Sequence, residues 1–152
     1  MKPIDQFGGW LRFFQVTEVI RIIVAFLMFW IWFHEVSAGK IANPWGFGSI
    51  TTLVIQLVGV IISSIILWFL SQRAPQTPTR IAKLVIASAA VFIGGKILIG
   101  IIEQLPTQKV SIGLFPSAVI AILWLEYFKS SKRVRGYYGR NAFQKNEPQL
   151  AA

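Results

Sequence analysis

The chain has 152 residues, 55% of them hydrophobic and only 14% charged, with a formal net charge of +9 and no cysteine. Its apolar residues run in long uninterrupted blocks, which excludes an ordinary small soluble domain. Zero cysteines exclude disulfides, thiolate metal sites, iron–sulfur ligation and cysteine nucleophiles together.

A bilayer core about 30 Å thick requires roughly 20 apolar residues in helical form. The first block, residues 11–33, is long enough, although Arg12, Glu18 and Arg21 interrupt its first half. Glu18 and Arg21 stand three residues apart, so a helix makes them neighbours on one face and a local ion pair near the inner boundary is expected. No cleavable signal peptide is expected, because this block carries charge and no small-x-small pattern precedes Glu35. His34 lies beside Glu35 at the outer end; it is the one histidine, and a metal site needs three or four donors. Residues 34–48 form a loop turned by Asn43-Pro44 and its glycines. The run Gly46-Phe47-Gly48-Ser49 lacks the strand-to-helix context of a phosphate loop.

The second block, residues 50–70, has no charged residue, and Gly59 and Ser63 form a small-xxx-small pair suited to close helix packing. Pro75 and Pro78 break the chain after it, and Thr79 can cap the third helix. The third block, residues 81–103, carries Lys96 near its middle, with Glu103 two turns later on the same face and a second small pair in Ala90 and Gly94. An ionisable residue inside a span is expensive and marks function by default. Three placements of Lys96 stay open: facing a partner, facing a cavity, or snorkelling to the outer headgroups. The fourth block, residues 111–132, contains Pro116, which either begins the helix or bends one that starts near Ser111. A polar tail, residues 141–152, is expected to be flexible.

The basic residues are distributed unevenly over the two sides. Eleven flank the side of the termini and the second connection, against Lys40 and Lys109 alone on the other, with Arg21 and Lys96 inside the spans. The positive-inside rule then places both termini in the cytoplasm. Trp10, Trp68, Trp124 and Tyr127 fall at the inner interface, and Trp30, Trp32 and Trp45 at the outer one, where amphipathic rings anchor. The expected fold is an all-α integral membrane protein with four transmembrane helices in residues 1–140 and both termini cytoplasmic.

The segment Glu126 to Arg140, EYFKSSKRVRGYYGR, mixes basic and aromatic residues as nucleic-acid binders do. Directly after a span, such a cluster reads instead as contact with anionic lipid headgroups, through Lys129, Lys132, Arg133, Arg135 and Arg140. No nucleic-acid partner is expected. Glu126 is expected to pair with a nearby basic side chain.

Two short marks carry a family resemblance. Gly8-Gly9-Trp10-Leu11 opens the first helix, and Ser131, Arg133, Val134 and Arg135, with Tyr138 after them, close the fourth. Together with four apolar blocks they resemble the bacterial membrane-protein family known as domain of unknown function 2569. Tyr137 stands where that family often has threonine. The resemblance implies an integral four-helix inner-membrane protein and supplies no catalytic residues.

With one histidine and one aspartate, Asp5, a Ser-His-Asp triad would draw its members from opposite sides of the membrane. No enzyme activity, cofactor or metal is expected. The leading expectation is a non-catalytic accessory or scaffold subunit of a larger bacterial inner-membrane complex, with lipids and other membrane subunits as partners. The alternative is a small transporter or lipid- or ion-handling protein that uses intramembrane Lys96 and Glu103, with Glu18 and Arg21 as further candidates.

Overall fold

The computed structural model describes residues 8–143 apart from 42 and 106; of residues 107–110, 112 and 113 it describes the backbone alone. Asp5, Lys2 and Lys145 lie outside the described residues, as does the expected tail from 144 onward. Among the described residues five helices succeed one another: α1 (Trp10–Ser37), α2 (Phe47–Ser71), α3 (Thr77–Ile102), α4 (Thr107–Ser130) and α5 (Lys132–Tyr138).

Each helix boundary has a local cause. Gly9 precedes α1 with φ 55° and ψ −127°, a conformation that costs a side chain and that glycine adopts freely. α1 then runs four residues beyond the expected end at Phe33, because His34, Glu35 and Val36 carry no helix-breaking proline or glycine, and it stops at Ala38. α3 starts at Thr77 rather than near residue 81, and Gln76, not Thr79, is its N-cap. Pro78 explains the early start: its fixed φ and missing N–H fit the first turn of a helix. α4 begins at Thr107, ahead of both starts considered for it, and continues through Pro116. It ends at Ser130, short of the continuous helix to 132 expected from the sequence. Ser131 adopts an extended backbone and its hydroxyl accepts from the Val134 N–H, so the chain restarts as α5. Gly139, left-handed at φ 83°, closes that short helix.

Short connections make sequential helices antiparallel neighbours, α1 against α2, α2 against α3 and α3 against α4. The core is concentrated at one end, where the α2–α3 turn, the start of α1 and the end of α4 meet. Leu11, Phe14, Ile66, Leu70, Ile81, Ala82, Phe128, Val134 and Tyr138 are buried together there. α5 seals this end. Val134 points into the core, the Tyr138 hydroxyl donates to the Leu70 carbonyl at 3.3 Å, and Arg73 donates from Nε to the Tyr137 carbonyl at 3.1 Å. The chain continues past α5 in contact with the body: Ala142 is buried and its N–H donates to the Phe128 carbonyl.

At the opposite end the helices are less tightly joined. No residue of α1 after Glu18 is buried, through to Ser37. α2 and α3 approach closely at Gly95, where a Cβ would overlap the Ile55 side chain. Gly94 and Ala90 face outward instead, so this small-residue pair does not mediate packing within the chain.

Candidate functional site: a groove floored by an ion pair

α1 and α4 do not pack along their lengths. They meet through aromatic rings near the sealed end: Phe14 lies edge-on to Trp124 and to Phe128, and Trp10 and Phe13 flank Trp124. Beyond this contact the two helices leave a cavity of about 690 Å³, backed by α3 and open along one side. Its walls are chiefly apolar, with Phe13 from α1, Phe92 from α3, and Ile120 and Trp124 from α4.

The charged groups of this groove meet at one point, while Thr17, Ser117 and Tyr127 add polar atoms elsewhere along it. Glu18 and Arg21 project from α1, and the Arg21 Nη1 stands 3.9 Å from the Glu18 Oε2. Arg21 Nη2 donates to the Ser88 Oγ of α3 at 2.5 Å and passes beside Gly59 of α2. The two charged side chains differ in exposure: Glu18 is 8% exposed and Arg21 40%, with Arg21 reaching into the groove. At 3.9 Å the ion pair is longer than a hydrogen bond, and the buried Glu18 Oε2 has no hydrogen-bond partner among the described residues. Arg21 carries five N–H donors, and its bond to Ser88 engages one of them. An apolar chamber with a few convergent, incompletely satisfied polar groups has the make-up of a small-molecule binding site.

The other candidates are placed elsewhere. The Lys96 ammonium lies 5.8 Å from the centre of the Phe92 ring, one turn back on the same helix, as a cation–π contact. Glu103 is the C-cap of α3, and its carboxylate covers Gly48, where a Cβ would overlap it. It therefore stands beside the first turn of α2, whose N–H groups and dipole favour negative charge. Lys96 and Glu103 form no ion pair among the described residues: Glu103 keeps helical register through its N–H bond to the Ile99 carbonyl, but seven residues of helix set the two about 10 Å apart along the axis.

Among the basic residues of the sealed end, Lys129, Lys132 and Arg135 are exposed. Lys129 pairs with Glu126 at 4.0 Å across the surface of α4. Arg133 and Arg140 turn toward protein. The Arg133 guanidinium packs on Gly9, where a Cβ would approach it to 2.8 Å, and the Arg140 Nε donates to the Pro75 carbonyl. The two short marks at the ends of the chain thus touch each other in the fold. Burial pushes the Tyr138 phenol well above its usual range, with the neighbouring Tyr137 adding to the shift.

Sequence reasoning missed Ser88 and the groove walls, since nothing in a lone serine or in scattered aromatics signals a shared cavity. The available signal was helical spacing: Val85, Ser88, Ala89 and Phe92 form one stripe of α3.

These features define an all-helical protein whose helices α1, α2 and α3 are long and apolar enough to cross a membrane, with a charged pair set into a groove between helices. Comparison with protein families places it more closely. The family described as "Protein of unknown function (DUF2569)" matches residues 4–138, and the chain belongs to that family. No curated protein and no solved structure matches it.

Proposed function

We propose that the protein is a four-span protein of the bacterial inner membrane, with α4 as the fourth span and both termini in the cytoplasm. In this reading it performs no catalysis and binds a membrane-dissolved amphiphile in the groove between α1 and α4. The observation that carries the reading is the charged pair at the groove floor, Glu18 and Arg21, held to Ser88. Helical rise puts Arg21 about 16 Å along α1 from Trp10. With Trp10 at headgroup level, Glu18 lies about 12 Å and Arg21 about 16 Å inward, deeper than the inner-boundary position expected from the sequence and inside the hydrocarbon, where charge is retained for function. The lipid-handling role expected of Lys96 and Glu103 moves in this way to Glu18 and Arg21. Exposed Lys129, Lys132 and Arg135 contact anionic headgroups on the cytoplasmic side.

Extraction of small molecules from the purified protein tests the reading. Wild-type protein is expected to carry an amphiphile in fixed proportion, and Ala89→Phe, which fills the groove, is expected to lose it while remaining folded. Wild-type protein that carries nothing beyond bulk lipid, at any washing stage, would remove the groove from consideration.

A second reading, an accessory subunit of a larger membrane complex, draws on the far half of α1. Phe26, Phe29, Trp30 and Phe33 are all exposed there, and no residue of α1 beyond Glu18 is fully buried. Such a face suits another transmembrane helix as well as it suits lipid. Extraction in several mild detergents should then recover the chain with larger proteins; recovery as a free monomer in all of them would exclude this role.

A further inference from the structure

We propose that the groove selects an uncharged ligand: a hydrophobic chain or ring system ending in one group that both donates and accepts a hydrogen bond, such as a primary amide or a hydroxy-carbonyl group. This ligand class rests on the reading of the groove as a binding site and adds the chemistry of its occupant.

Three observations lead to this class. Glu18 and Arg21 are of opposite sign and already adjacent, so the floor carries no net charge. A ligand bringing its own charge would leave an excess charge among apolar walls, and burying unpaired charge is strongly unfavourable. Next, the two needs at the floor are complementary. The buried Glu18 Oε2 has no hydrogen-bond donor among the described residues, and the part-exposed Arg21 guanidinium presents donors to the groove. Once the Glu18 carboxylate turns its Oε2 out into the groove, one group that donates to it and accepts from Arg21 meets both needs, and it would bridge a pair now separated by 3.9 Å. Finally, the polar point lies deep. Trp10, Trp124 and Tyr127 line the sealed end of the groove, while Glu18, Arg21 and Ser88 lie farther along it. An ordinary phospholipid would present its headgroup at the tryptophans and its tail to the charges, the reverse of what this arrangement solvates. The fitting ligand enters polar end foremost.

The full-length protein in lipid nanodiscs is titrated with dodecanamide, dodecanoate and dodecylamine, each with a brominated tail, and binding is read by quenching of tryptophan fluorescence. Dodecanamide is expected to bind at least about tenfold more tightly than either charged probe, the factor that one unsatisfied buried polar group is worth. Ser88→Ala should reduce that preference by freeing Arg21 from its fixed position. The charge-free pair Glu18→Leu with Arg21→Met keeps the groove apolar and folded, and should bind all three probes without preference. Equal binding of amide and charged probes by wild-type protein would overturn the ligand class and leave the groove as a site. A preference that survives in the charge-free pair would also overturn it, since the floor would not be its source. Failure of every probe to quench, or a co-purified protein segment occupying the groove, would overturn both the class and the groove reading beneath it.

Discussion

Arg21 bonds to a residue 67 positions away, Ser88, and stands beside a carboxylate three positions away. The near contact is readable from spacing, because residues three apart share a helix face. The far one is not, because helix-to-helix register is set by packing that no local pattern records. Removing Arg21 alone leaves Glu18 buried without its cation. For a fully buried pair that costs about 3–5 kcal/mol; with Arg21 partly exposed, about 1–3 kcal/mol is expected. Arg21→Met should therefore lower the thermal unfolding midpoint in detergent, and Glu18→Leu added to it should recover much of the loss. A double-mutant cycle measures this directly. Strictly additive losses would mean that the two groups do not interact across 3.9 Å and that solvent carries each one separately.

At the scale of elements, α5 shows how a run of charge read from sequence can hide a packing role. Its basic residues suggest headgroup contact, and Lys132 and Arg135 do lie exposed. Arg133, Val134, Tyr137, Tyr138 and Arg140 instead fasten the element to α1 and to the α2–α3 turn. Ser131 and Gly139 are ordinary start and stop signals, legible in principle, but a run of positive charge beside a span matches the membrane surface just as well. The buried Tyr138 phenol makes this dock sensitive to alkali. Unfolded tyrosine ionises near pH 10, whereas burial raises the native value. The unfolded chain therefore loses a proton that the native one keeps. The stabilising contribution is complete below about pH 10 and is lost as pH rises toward the native value. Tyr138→Phe is expected to cost about 1 kcal/mol at neutral pH through the lost bond to Leu70, and to fall less steeply between about pH 9.5 and 11. Unfolding midpoints of the two proteins across that range check it; parallel decline would show that the phenol is not responsible.

For the whole molecule, three helices are long and apolar enough to cross a membrane, and the placement of α4 decides the topology. α4 returns from the far end of α3 to the end where α5 meets the α2–α3 turn, so Arg73 and Arg135 belong to one side whichever side that is. On the positive-inside bias, we propose that this side is the cytoplasm. Because the chain has no cysteine, single introduced thiols report position without background. Ala38→Cys, in the α1–α2 connection, and Leu105→Cys, between α3 and α4, are both exposed positions and should react with an impermeant maleimide added to intact spheroplasts. Gly136→Cys, exposed on α5, should react only in inverted vesicles. If Leu105→Cys and Gly136→Cys react from the same side, α4 does not span. If all three react with sides exchanged, four spans remain and the orientation is reversed. A reversed orientation would set the sealed, basic end against the outer leaflet, and the anionic cytoplasmic surface proposed as the contact of the exposed Lys132 and Arg135 would then lie on the other side.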